Sequence, residues 1–191
     1  MVNPRTLIGF GLAIVVMLCM YFECVYILYV GVNLATLYDV IYMLCKHGIN
    51  VPVVFIFFSL MALVNYYLLS LYYVNPFMVV KIITITQLSD VYQYIAGTRF
   101  GRCKIGWISK NKTYEGYVVG WLMTVITFIL FLSFYEISII YVLGVLGGLI
   151  SSFFKRIIGI KDYSDLLGPH GGWVDRIDSI VLPSIICYFA F

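Results

Sequence analysis

Residues Val51 to Val74 read VPVVFIFFSLMALVNYYLLSLYYV, and no charged side chain interrupts them. A bilayer's hydrocarbon core is about 30 Å thick and a helix rises about 1.5 Å per residue, so about 20 apolar residues cross it. This stretch is long enough to cross once. The same composition continues outward in both directions. Of the 191 residues, 63% are hydrophobic and 11% charged, against roughly 45–50% and about 25% in soluble domains. A single soluble core of this size cannot hide that excess, so lipid is the expected solvent. The net charge of +3 is too small for a nucleic-acid partner, which needs a concentrated basic face. Cysteines stand at 19, 24, 45, 103 and 187, with no CxxC pair and four of them in apolar runs. They read as small apolar residues rather than metal ligands or a disulfide framework.

Working outward from Val51–Val74, the sequence predicts an all-α, polytopic integral membrane helix bundle of about seven segments. Thr6 to Cys45 is long enough for two. Gly31-Val32-Asn33 is the expected turn between them, with a break near Glu23 as the alternative. Arg5 precedes the first run and no small-residue cleavage site closes it, so it reads as a retained helix. Asn75-Pro76 ends the third segment, and Phe77 to Gly97 is the fourth. Gly116 to Phe134, Ile137 to Phe154 and Trp173 to Phe191 complete the set. Polar loops cover 98–115 and 155–172. Alternating sides place Arg5, Lys46, Arg99, Arg102, Lys104, Lys110, Lys112, Lys155, Arg156 and Lys161 on one face. The positive-inside rule makes that face cytoplasmic. Lys81, near the other end of segment four, is expected to snorkel outward.

Residues 1–80 form an N-terminal membrane part without a motif, where Glu23 and Asp39 read as isolated bundle-facing polar groups. Residues 81–191 hold nearly everything ionisable. Asp90 lies inside segment four, where an Asp costs about 2.5–3.5 kcal/mol on insertion scales, so a function or a helix-to-helix hydrogen bond must account for it. Asp175 and Asp178 are spaced i, i+3 and share a helix face. They could be metal ligands, since Mg²⁺ takes one or two carboxylates plus substrate phosphates. They could equally be N-terminal acids answering the helix dipole. Lys155-Arg156, Lys161, Lys110 and Lys112 could be headgroup anchors. Beside them, however, lies Gly168-Pro169-His170-Gly171-Gly172, where glycines let backbone N–H groups approach an anion. Basic groups, a glycine turn and paired carboxylates together suit a metal-bound polyphosphate at the membrane surface.

Two ordered blocks carry a resemblance. One is Asp90, Phe100-Gly101-Arg102 and Ser109-Lys110-Asn111-Lys112-Thr113-Tyr114-Glu115-Gly116. The other is Ser152-Phe153-Phe154-Lys155-Arg156, Lys161-Asp162, His170-Gly171-Gly172 and Asp175-Arg176-Ile177-Asp178. Together they resemble the CDP-diacylglycerol synthases, whose signature reads S-x-x-K-R, K-D, H-G-G, D-R-x-D. The departures are few. Gly148 stands where bacterial members carry a metal-binding Asp, and Gly147-Gly148 is similar to eukaryotic members. Gly168 and Pro169 are exchanged relative to the usual order, Lys110 and Tyr114 replace a Pro and a Trp, and the N-terminal end is short.

The resemblance implies transfer of a cytidylyl group from CTP to phosphatidic acid. It implies Mg²⁺ as cofactor, with room for a second cation. The expected partners are CTP, phosphatidic acid, membrane lipid and, as an option, a second copy in a homodimer. Asp175 and Asp178 are the implied metal ligands, with Asp90 as a further ligand or polar support. Lys155, Arg156, Lys112 and Lys161 would neutralise phosphates, with Gly171, Gly172 and Arg176 beside them. His170 would contact phosphate, act as a base, or organise its turn. Glu115 would pair with a lysine or cap segment five. The rival readings are a CTP-dependent lipid kinase and an inactive scaffold of the same fold. A transporter fits less well, because the polar residues crowd one surface rather than the midplane.

Overall fold

The computed structural model describes residue 19 and residues 24–106, 112–168 and 171–190. These contain six helices: α1 (Val25–His47), α2 (Val51–Val74), α3 (Pro76–Phe100), α4 (Tyr114–Phe128), α5 (Phe134–Ile157) and α6 (Val174–Ala190). No strand occurs among the described residues, and one isolated bridge joins Lys104 to Thr113. The all-α expectation holds. Helices α1, α2 and α5 are each long and apolar enough to cross a membrane. The expected seven segments correspond to six helices here, and most of the first segment, with Arg5 and Glu23, lies outside the described residues.

The helix boundaries correct the sequence reading in two places. Helix α1 runs straight through Gly31-Val32-Asn33, so the preferred turn is absent and the chain enters the helix after Cys24. Asn33 is satisfied within the helix, donating from Nδ2 to the Tyr29 carbonyl at 2.8 Å. Where water is scarce, intrahelical bonding outweighs a weak turn signal. The second correction concerns segments five and six. Helix α4 stops at Phe128 and α5 already begins at Phe134. Ser133 and Glu136 form a reciprocal capping box there: Glu136 N donates to Ser133 Oγ at 3.2 Å, and Ser133 N to Glu136 Oε2 at 3.3 Å. By contrast, Asn75-Pro76 starts α3 as read, with Asn75 Oδ1 accepting from Met78 N at 3.1 Å and Pro76 in the first turn.

The chain divides into two compact units. The first comprises Met1–Ser70 with Ile158–Ile177, and the second Leu71–Ile157 with Asp178–Phe191. In the first, Phe57 of α2 stacks on Tyr163 at 4.8 Å between ring centroids, and Tyr163 and Met43 are fully buried. In the second, α3 packs against α4, and both meet α5. Ile82, Ile85, Ile137 and Ile140 form the buried core. Glycines set how closely these helices approach. Gly116 and Gly120 of α4 leave just enough room for Gln93 of α3. Lys81 does not snorkel alone: its Nζ lies 3.0 Å from Glu136 Oε1, pairing the starts of α3 and α5.

Candidate active site

The signature residues of the second unit sit on four helices and a hairpin. Along α3, Thr86, Asp90, Gln93 and Gly97 recur at i, i+4, i+7 and i+11, which makes one face. Thr86 meets α5 at Gly144, and Gly97 meets Thr113 and Gly116. Asp90 therefore sits between two tight crossings. The loop after α3 folds back on itself, with Ile105 N donating to the Lys112 carbonyl and Tyr114 N to the Cys103 carbonyl, both at 3.0 Å. This pairing delivers Lys112 to the start of α4. Among the described residues Glu115 pairs with no lysine, and it does not take the N-cap of α4. Its two oxygens accept from Cys103 N at 3.0 and 3.1 Å, and Thr113 takes the N-cap, accepting from Gly116 N at 3.1 Å.

Helix α5 contributes a glycine stripe followed by cations. A Cβ on Gly144 would stand 3.1 Å from Thr86 Cγ2, and one on Gly147 only 2.7 Å from the Asp178 carbonyl oxygen. A Cβ on Gly148 would meet only Lys112 Nζ, at 3.3 Å. Lys112 Nζ also lies 5.9 Å from the centre of the Tyr117 ring. The Gly147-Gly148 pair thus brings the backbone at Asp178 and the Lys112 ammonium onto one short segment of α5. Lys155 follows Gly148 by two turns on nearly the same face and is buried, which is unusual for a lysine. Arg156 beside it is half-buried.

This unit also contains buried polar atoms without a protein partner: both ends of the Gln93 amide, the Tyr117 hydroxyl and Ser179 Oγ. The Gln93 amide faces the Tyr141 hydroxyl without reaching hydrogen-bond geometry, and Tyr141 instead donates to the Tyr117 carbonyl at 2.7 Å. Such groups cost about 1–3 kcal/mol each when left unpaired, so they mark places where water or a bound molecule completes the structure.

The remaining signature residues belong to the first unit. Gly171 has φ +79°, and Gly172 is buried. Asp175 Oδ2 accepts from Tyr163 N and Gly172 N, both at 2.9 Å, so this carboxylate staples the loop before its own helix. Lys161, Asp162 and Arg176 are exposed, and His170 lies outside the described residues. Asp39, which the sequence offers as an isolated polar residue, is instead fully buried and engaged with this loop. Its Oδ1 accepts from Ser164 Oγ at 2.6 Å and its Oδ2 from Val174 N at 2.8 Å. Tyr42, one turn further along α1, donates to Asp165 Oδ2 at 2.9 Å, and Lys46 lies 3.5 Å from the same oxygen. The Tyr42 hydroxyl, and beyond it the Lys46 ammonium, hold the Asp165 carboxyl below its usual range. Asp39, Tyr42 and Lys46 fall at i, i+3 and i+7, a single stripe of α1 whose periodicity is the one sequence signal for this role.

Among the described residues, no three His, Cys, Asp or Glu side chains gather to hold a metal ion. Mg²⁺ bound with a nucleotide needs fewer, since phosphates and water fill most of its six positions.

A phosphatidate cytidylyltransferase of Aquifex aeolicus (strain VF5) is 34% identical over 134 residues, covering 66% of this chain and 52% of that protein. One of Staphylococcus haemolyticus (strain JCSC1435) is 39% identical over 111 residues, covering 50% of this chain and 42% of that protein. One of Staphylococcus aureus (strain COL) is 37% identical over 114 residues, covering 52% and 44%. The chain thus spans about half the length of the curated relatives it matches. The family model described as the cytidylyltransferase family matches residues 5–191, and the chain belongs to that family.

Proposed function

We propose that this chain transfers the cytidylyl group of CTP to phosphatidic acid, giving CDP-diacylglycerol and pyrophosphate. An oxygen of the lipid phosphate attacks the α-phosphorus of CTP. The bond from that phosphorus to the bridging oxygen breaks, and pyrophosphate leaves. Such a reaction needs positioning and charge neutralisation more than covalent catalysis. The observation that carries the reading is the Gly147-Gly148 crossing, where the Asp178 backbone and the Lys112 ammonium meet α5.

Roles follow from that arrangement. Lys112, Lys155 and Arg156 neutralise phosphate oxygens by charge-assisted hydrogen bonds, about twice as strong as neutral ones. Asp178 and Asp90 would hold Mg²⁺, with Asp175 one turn earlier on the same helix. Mg²⁺ bound there supplies charge neutralisation on the triphosphate and the leaving pyrophosphate. Lys161 and Arg176 offer their charges to the nucleotide phosphates, while the Gly171 and Gly172 N–H groups close the turn between them on the Gly168 carbonyl and Asp175 Oδ2. The acyl tails remain in lipid while the headgroup stays level with the cations, because a phosphate does not enter hydrocarbon cheaply. The one-sided Lys and Arg distribution supports a cytoplasmic position for the loops 98–115 and 155–172.

Purified protein is incubated with phosphatidic acid, Mg²⁺ and CTP labelled at either the α- or the γ-phosphate. Label entering the lipid from the α position alone is expected. Entry of γ-label into a lipid alcohol would make the protein a kinase. Metal-dependent CTP binding without any labelled lipid would make it a scaffold.

A further inference from the structure

Among the described residues, Asp39 is the most deeply buried carboxylate that the signature leaves out. It lies in α1, more than 120 residues from the loop it serves, and its side chain is fully buried. A buried carboxylate needs donors for its lone pairs. Both of its oxygens take theirs from the segment that carries Gly171 and Gly172. Ser164 Oγ binds Oδ1 and Val174 N binds Oδ2, so one side chain ties together the two ends of that loop. Ser164 Oγ passes the constraint on, accepting from Leu166 N at 3.1 Å. Gly172 fits against the same carboxylate: a Cβ there would stand 2.7 Å from Asp39 Oδ2 and 2.9 Å from Ser164 N. Asp175 grips the loop through Tyr163 N and Gly172 N. Gly172 is thus held by one carboxylate through its N–H and closed in by another at its Cα.

We propose that Asp39 is a positioning residue of the reaction. It touches no substrate. It fixes the conformation of the loop flanked by Lys161 and Arg176, the cations that receive the nucleotide phosphates, an assignment that rests on the function proposed above. Positioning at this level matters because a displacement of about 1 Å at a reacting group can cost about a hundredfold in rate. The carboxylate is required in kind. An amide of the same shape presents an N–H₂ group to one of the two donors and loses that bond.

The test is Asp39→Asn in the full chain, with the steady-state constants measured separately for CTP and for phosphatidic acid. The KM for CTP should rise at least about tenfold, with the KM for phosphatidic acid within about twofold. Amide hydrogen exchange across 163–175 should accelerate, with exchange in α3 and α5 unchanged. Ser164→Ala removes one bond of the clamp and serves if Asp39→Asn does not fold; a rise of about three- to tenfold in the KM for CTP is expected. Folded variants with both KM values unchanged, or with both raised equally, would overturn the assignment while leaving the function intact. A wild-type chain that forms no cytidylyl lipid would overturn the function and the assignment together.

Discussion

Gly147→Ala should damage the site far more than the neighbouring Gly148→Ala, although both add one methyl group to adjacent positions of α5. At Gly147 the new Cβ would stand 2.7 Å from the Asp178 carbonyl oxygen, and ordinary contact begins at 3.4 Å. The difference, 3.4 − 2.7 = 0.7 Å, must be absorbed by moving α5 and α6 apart, because the obstacle is backbone. Overpacking of that kind costs about 1–3 kcal/mol. A shift approaching 1 Å at Asp178, the residue proposed to hold the metal, should lower kcat by about ten- to a hundredfold. At Gly148 the new Cβ would meet only the tip of Lys112, at 3.3 Å, and a lysine side chain swings aside. Its effect on kcat should stay within about threefold. The assay is CDP-lipid formation from α-labelled CTP in mixed micelles, with a melting curve in the same detergent. Equal activity of the two variants, both folded, would refute the claim that the Gly147–Asp178 contact sets the geometry of the site.

Asp178→Asn should abolish turnover while the protein still inserts and melts normally; near-normal activity at saturating Mg²⁺ would make the carboxylate structural. The Lys81–Glu136 pair, about a third exposed at each end, should show a coupling of about 0.5–1 kcal/mol in a double-mutant unfolding cycle with Lys81→Met and Glu136→Gln. Additive single effects would show that the pair only decorates the ends of α3 and α5. Cysteines placed at Lys104 and Lys161 should both be labelled from the cytoplasmic side by an impermeant reagent, and labelling from opposite sides would overturn the proposed topology.

Composition by itself determined the solvent and the element type. Once 63% of the residues are hydrophobic, backbone groups in lipid must bond within their own segment, and helices follow. Strong local signals also survived, as Asn75-Pro76 at the start of α3 and the uncharged run of α2 demonstrate. Weak ones did not. Gly31-Val32-Asn33 looked like a turn, but no local penalty there outweighed an unbroken hydrogen-bond ladder. The two signature blocks were legible because the residue types and their order suffice to recognise them.

Tertiary structure alone decided what those blocks rest on. Nothing near Gly147 in sequence says that the Asp178 carbonyl will lie against it, since that contact depends on where α5 and α6 cross. Nothing near Asp39 announces Ser164 and Val174, more than 120 residues away. A lone buried carboxylate in a sequence reads as a cost, and only its folded partners reveal the hydrogen bonds that offset it. The physical reason is one of range. Burial and helix propensity are local and accumulate along the chain, whereas a hydrogen bond or a close backbone crossing requires two distant groups to meet within a few tenths of an ångström.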